Sequence, residues 1–408
     1  MSKNNQAMNP DSKRCGVISA VAVWPAMLAG VTATLVGIGL ARFAYTPLIP
    51  VLIEVGWFSA SQAVYLGAAN LLGYFVGALS AHRLSEQFPA RGVVGISLAI
   101  VVLSFLLCAW PSGFYWAFAW RLLSGLAGAV LMVTVPSIAL SRTPPAQRAR
   151  VGTLSFAGIG IGAVLAAVVI PVLLTFDLRA TWLVLGAMAL VAAVGCDWGM
   201  RRMPLVDQPA LENAEPMKKS KRLPIAVVLV MAAYALDAAG FIPHTVFWVD
   251  YLARQNEFGQ AAASLQWAIF GFGALCGPFF ARRLVARLGW GGSLALVFGM
   301  KALAIAMPVM SLALVSQTLS SFLVGALVPG LTALTSGRLA EIVGPSGHKK
   351  AWGQATAAFA AAQALSGYGM SAAYNALGTY TPLYGVASGL LLLGVVLVLV
   401  SNRRAVPS

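Results

Sequence analysis

The feature that most constrains this chain is its division into apolar runs, each about as long as the 20 residues a helix needs to cross a hydrocarbon core of ~30 Å. Counted from polar break to polar break, they fall near residues 19–53, 60–80, 92–110, 113–141, 150–174, 179–200, 224–250, 261–281, 290–309, 313–341, 351–374 and 382–401. Lipid offers no hydrogen bonds to a backbone, so such runs close their own bonds as helices. The pattern therefore predicts an all-α integral membrane protein with twelve transmembrane helices. The first run exceeds the length of one helix, and the breaks between the third and fourth and the ninth and tenth runs are short. Hydrophobic residues make up 59% of the chain and charged residues 10%, against about 25% charged in soluble domains.

The net charge of +15 raises the question of a nucleic-acid partner. The basic residues form no face or tail, however; they sit in short clusters between the apolar runs. With both termini on one side, 22 of the 27 lysines and arginines share that side. Arg179 and Arg254 fall opposite, and Arg42, Arg121 and Lys301 fall within spans. This bias predicts an even number of spans with both termini cytoplasmic, and no nucleic-acid partner. The four cysteines, Cys15, Cys108, Cys196 and Cys276, lie far apart without CxxC spacing and read as free thiols, with no metal site and no cofactor. The polar N-terminus leads into an apolar run too long for a signal peptide, and no cleavage is expected.

One long polar connection, Arg201 to Arg222, carries three prolines and mixed charge and reads as a flexible cytoplasmic linker. It divides the chain into two bundles of six spans, 1–200 and 224–408, joined by 201–223. The halves also echo each other. Gly77 and Gly277 both open Gly-x-x-x-Ala-x-Arg-Leu, and the same offset of 200 pairs Leu123 with Leu323 and Gly125 with Gly325. This fits two pseudo-symmetric six-helix bundles, one large transporter architecture.

On these features the chain resembles the major facilitator superfamily over essentially its whole length. The family's loop motif, Gly-x-x-x-Asp-Arg-x-Gly-Arg-Arg, is matched at Gly77 and Gly277, with Ala81 and Ala281 in place of the acid and His82 in place of the arginine. Arg121-Leu-Leu-Ser-Gly125-Leu-Ala-Gly-Ala129 is similar to the family's Arg-x-x-Gln-Gly-x-Gly-Ala-Ala in span four. Gly158-Ile-Gly-Ile-Gly162-Ala163 matches the antiporter signature in part, without its proline. Arg42-Phe-Ala-Tyr-Thr-Pro47 and Asn70-Leu-Leu-Gly-Tyr74 look like the bacterial YbfB/YjiJ-like branch. The resemblance implies a major facilitator fold in a bacterial inner membrane. It also implies that spans one, four, seven and ten line a central cavity.

Ionisable groups inside a membrane are costly and point to function or pairing. Arg42, in the outer half of span one, is a candidate cavity cation for an anionic group or a mobile acid; the alternative is structural bonding, with Tyr45 one turn away. Asp237 falls near the middle of span seven, where an acid can load and release a proton or form a fixed pair. Phe241, His244 and Trp248 share its helical face unless Pro243 kinks the helix. Arg121 resembles a proton-linked arginine of the family, with structural hydrogen bonding the alternative. Lys301, in a span the fold usually places at the periphery, reads as snorkelling or interhelical bonding. Asn70 and Gln363 are candidate substrate contacts, with interhelical bonding the alternative. Tyr45, Tyr74, Tyr234, Phe241 and Trp267 are aromatics able to stack an organic ligand. The candidate substrate or coupling set is thus Arg42, Tyr45, Asn70, Arg121, Asp237, Phe241, His244 and Gln363, and Arg42 and Asp237 are expected to approach each other between the halves.

The expected function is secondary active transport of a small organic solute by alternating access, coupled to protons, with the bilayer as surroundings and the monomer as working unit. The chain has no GxxxxGK[ST] loop for an ATP-driven pump. The alternatives are a transport-inactive sensor or scaffold of the same fold and an integral-membrane enzyme. An enzyme would use a cluster of acids or a metal set, whereas the histidines are His82, His244 and His348, without acidic companions.

Overall fold

The computed structural model describes residues 11–203 and 223–404. The expected linker falls largely outside the described residues, as do the side chains of Cys15 and His82. α1 (Asp11–Thr34) continues through a π-helical turn (Leu35–Leu40), a 3-10 turn (Thr46–Leu48) and α2 (Ile49–Glu54). α3 (Ala60–Gln87), α4 (Ala90–Leu107), α5 (Phe114–Ser141), α6 (Pro145–Leu174) and α7 (Leu178–Arg202) follow. Beyond the linker, α8 (Ile225–Gly240) runs into π-helical turns at Pro243–Phe247 and Tyr251–Gln255 on either side of α9 (Trp248–Asp250). α10 (Gly259–Met310) bends at Gly289, α11 (Leu314–Leu377) bends at Gly344, and α12 (Thr381–Arg404) closes the described chain.

No strand occurs among the described residues, as the apolar runs predict. Among the described residues, ten stretches are long and apolar enough to cross a membrane. The arms 259–288 and 345–377 of the two bent helices are not among them, so apolar length supports ten of the twelve expected spans. Local signals set the helix ends. Ser59 and Gln62 form a reciprocal capping box at the start of α3, satisfying orphan donors at the N-terminus. Pro89 and Pro144 precede α4 and α6, where a residue without an N–H does least harm. The equivalent turns in the other half use Gly289 and Gly344, with φ of 67° and 70°, a conformation glycine adopts without steric cost.

The offset of 200 residues extends to the packing itself. Gly73 faces the carbonyl oxygen of Leu122 and Gly273 that of Phe322; Gly77 faces Leu126 and Gly277 faces Ala326; Gly125 faces Asn70 and Gly325 faces Phe270. A β-carbon at any of these six glycines would lie 1.9 to 2.3 Å from that oxygen. Small residues of this kind let membrane helices approach backbone to backbone. Across the halves, α6 packs on α10 and α3 on α11.

Candidate functional site

The site grows from the break in the first span. An α-helix would bond Tyr45 N–H to the carbonyl of Ala41; here Tyr45 N–H bonds Arg42 O at 3.2 Å instead. The oxygen of Ala41 accepts from side chains: Arg121 Nη1 at 2.6 Å and Asn70 Nδ2 at 3.5 Å. Asn70 also donates to Arg121 O at 3.2 Å, and the Arg121 guanidinium lies 4.2 Å from the centre of the Tyr45 ring. The Tyr45 hydroxyl donates to Ala63 O at 2.8 Å. Arg121, Asn70 and Tyr45 therefore form one brace that holds the α1 break in place. Irregular backbone at membrane depth persists where protein groups satisfy it in this way.

The next carbonyl affected is that of Phe43. Its helical donor would be the N–H of Pro47, which proline lacks. Trp267 Nε1, from the second half, donates to it at 3.1 Å. Thr46 Oγ1 donates to Thr245 O at 2.6 Å and Gln260 Nε2 to Pro47 O at 2.7 Å, so the broken spans one and seven are bonded directly to each other. Phe43 meets the rings of Trp267 and Phe270 edge to face. Every residue from 36 to 52 and from 237 to 253 is buried. In the opposite half of the spans, Trp24, Leu28, Val31 and Leu35 stay at least partly exposed along one stripe of α1, and Ile225, Val228 and Leu236 do so on α8. The molecule is sealed at the end holding the 54–60 and 255–259 connections and looser at the basic end.

Arg42 sits at the bottom of that seal, 8% exposed. Its Nη1 donates to Gln363 Oε1 at 2.8 Å, a bond between the halves, and its charge lies 5.7 and 5.8 Å from the centres of Phe43 and Phe241. Arg42 Nε and Nη2, Arg121 Nε and Gln363 Nε2 are buried with no acceptor among the described residues. A cavity of about 10 Å³, close to the volume in which one water moves, is lined by both arginines with Tyr45, Thr46 and Thr245.

Two expectations change here. Lys301 is not peripheral: it is fully buried, and its Nζ donates to Asp237 Oδ1 at 2.5 Å. Asp237 is paired with Lys301, so Arg42 and Asp237 form no ion pair. The two cations share one ring, with Lys301 Nζ 4.5 Å and the Arg42 guanidinium 5.8 Å from the centre of Phe241. Of the two readings for Lys301, the interhelical bond is the one observed: its stem reaches from α10 to the carboxylate on α8. His244 joins neither group. Its Nε2 is 2.8 Å from Ser320 Oγ, whose proton goes to Ala304 O, so the ring donates at Nε2. It stacks on Trp248 at 4.3 Å. Sequence reasoning passed over the inter-half bonds of Thr46, Thr245 and Gln260. Proline at position 47 was the available signal for the bond to Phe43 O.

A multi-pass helical bundle whose broken spans meet over buried arginines and a buried ion pair defines a membrane transport protein. The family profile described as "Uncharacterised MFS-type transporter YbfB" matches residues 34–399, and the chain belongs to this family of major facilitator superfamily transporters. It is also similar to the "Uncharacterized MFS-type transporter YceJ" of Bacillus subtilis (strain 168), with 24% identity over 261 residues, 62% of this chain. The matched region covers 65% of that protein's length.

Proposed function

We propose that the protein is a secondary active transporter that moves a small organic solute by alternating access. Two six-helix bundles, 1–200 and 224–408, rock about the Arg42 region, and 201–223 joins them on the cytoplasmic side of a bacterial inner membrane. Both termini lie on that side, and the monomer is the working unit. The observation that carries this reading is the asymmetry of the seal: residues 36–52 and 237–253 are wholly buried, while the basic-end halves of the same spans keep exposed stripes. This fits a state open to the cytoplasm and closed outside, with the discontinuous helices at mid-membrane that such carriers place at their substrate sites.

The outer seal supplies a direct test. Trp267→Phe removes one inter-half hydrogen bond and leaves the carbonyl of Phe43 without a donor. A bond of this kind contributes about 1 kcal/mol, which is roughly a fivefold change in the balance of two states. In a cysteine-free background with Ser264→Cys as reporter, modification from outside by an impermeant maleimide is expected to quicken about fivefold. An unchanged rate would count against outward opening at this seam.

Coupling to protons is assigned to Asp237, whose partner Lys301 lies in the same half. Protonation of the carboxyl breaks the ion pair without needing the other half. The double variant Asp237→Asn/Lys301→Met removes both charges together. In proteoliposomes it is expected to keep solute exchange and to lose solute-driven proton movement. Proton movement at the normal ratio to solute would refute the assignment.

A further inference from the structure

The charge balance of the interior points to a substrate class. Three cations, Arg42, Arg121 and Lys301, and the carboxylate of Asp237 are buried around Phe241 and Tyr45. Lys301 satisfies Asp237, and Arg121 spends Nη1 on the carbonyl of Ala41 and its face on Tyr45. Of these three cations, Arg42 alone keeps a whole edge of its guanidinium, Nε with Nη2, free of acceptors among the described residues; Arg121 Nε and the amide Nε2 of Gln363 are likewise unpaired there. Nε and Nη2 are the two parallel donors that match the two oxygens of a carboxylate. Buried donors without acceptors are rare and costly in protein interiors, so a cluster consisting of donors is a built receptor for an acceptor group carrying one negative charge.

The surroundings say what that group is attached to. From Phe241, which touches Arg42, the rings of Phe359, Tyr234 and Trp352 continue toward the basic end. Centre distances along this wall are 6.3 Å from Phe241 to Phe359, 4.5 Å from Phe359 to Tyr234 and 5.7 Å from Tyr234 to Trp352. The Tyr234 hydroxyl is occupied by Thr332 Oγ1 at 3.3 Å. A wall of rings with its polar atom spent favours an apolar or aromatic body.

We propose that the solute is a hydrophobic monocarboxylate, its carboxylate bound side-on to Arg42 Nε and Nη2 and its body lying along the Phe241–Phe359–Tyr234 wall. This rests on the transporter reading for its physiological meaning, but the binding site stands on the donors themselves. One cation with one free edge suits a monoanion. A phosphate or a dicarboxylate is best matched by a second free guanidinium edge, and Arg121, held at Ala41 O by Nη1, offers the single unpaired donor Nε.

The test is binding of radiolabelled benzoate, phenylacetate and 3-phenylpropionate to the purified full-length protein, with the matching amides and inorganic phosphate as competitors. At least one acid is expected to bind and to raise the melting temperature, while its amide and phosphate compete at least tenfold more weakly. Arg42→Gln is expected to abolish binding, and Arg42→Lys, which keeps the charge but not the paired donors, to weaken it at least tenfold. The ligand-free melting temperatures of both variants report whether they are folded. The proposal is overturned if none of the three acids binds, if an amide or phosphate binds equally well, or if folded Arg42→Gln retains binding. Binding without flux in proteoliposomes would support the carboxylate site and reject the transporter reading. Flux of a cation or neutral solute, with no acid bound, would do the reverse.

Discussion

Asp237→Asn alone is expected to destabilise the protein by about 3–5 kcal/mol, the range found when one partner of a buried ion pair is removed. The reason is the position of Lys301, fully buried and 2.5 Å from the carboxylate. With asparagine opposite, the ammonium would face a neutral amide and the ring of Phe241. Lys301→Met alone leaves the mirror problem, a carboxylate without its cation. The double variant replaces the pair by groups of similar volume and is expected to lie close to the parent, since a buried pair repays little beyond its own desolvation. A double-mutant cycle on unfolding in a denaturing detergent measures this, and the coupling should be at least about 2 kcal/mol. Additive single and double effects would mean that the two side chains do not act as a pair.

Gly125→Ala is expected to cost about 3 kcal/mol or more, at or above the top of the range for forcing a methyl group into a packed interior. Its β-carbon would lie 2.0 Å from Asn70 O, a backbone atom that cannot swing aside, so α3 and α5 would have to part. Gly325→Ala places the same atom 2.0 Å from Phe270 O and is expected to cost about as much, because the contact is repeated in the second half. The two variants should then separate in function. Displacing Asn70 disturbs the bonds to Ala41 O and Arg121 O that brace the break beside Arg42. Phe270 touches the seal through its ring, on Phe43 and Trp267, and makes no hydrogen bond to the break beside Arg42. Yield and melting temperature should fall alike in both, while solute binding by the surviving folded protein should fall further in Gly125→Ala. A marked inequality in melting temperature would show that the repeated contacts are not equivalent.

The fold was legible because apolar length and the placement of basic residues report directly on lipid and on the membrane interface. The repeat was legible at Gly77 and Gly277, where a glycine is demanded by contact with a backbone oxygen. It was faint elsewhere because the same oxygen can be presented by Leu122 or Phe322, whose side chains do not matter to it. Likewise Pro89 and Gly289 make equivalent turns by opposite means, so identity vanishes while geometry persists. In the site, Arg42, Asp237, Arg121, Asn70 and Gln363 stood out as polar residues in apolar runs. Who pairs with whom did not. The Asp237–Lys301 bond depends on how two helices rotate against each other, and a linear pattern does not record rotation. Arg121 carried a different ambiguity: its resemblance to a coupling arginine and its capacity for structural bonding were both legible, but its partner, a carbonyl released by an irregular turn, was not.

If the halves rock as proposed, the bond from Trp267 to Phe43 O governs how the sealed end opens. Proline 47 has permanently deprived that oxygen of a partner from its own helix, so the seal is completed with a borrowed donor. When the halves separate, the indole leaves and the oxygen must be given another donor at once, because a bare carbonyl at that depth is costly. Water is the donor at hand. In the proposed rocking, parting of the halves and hydration of the α1 break are therefore a single event, and the seal is a point of wetting as much as a hinge.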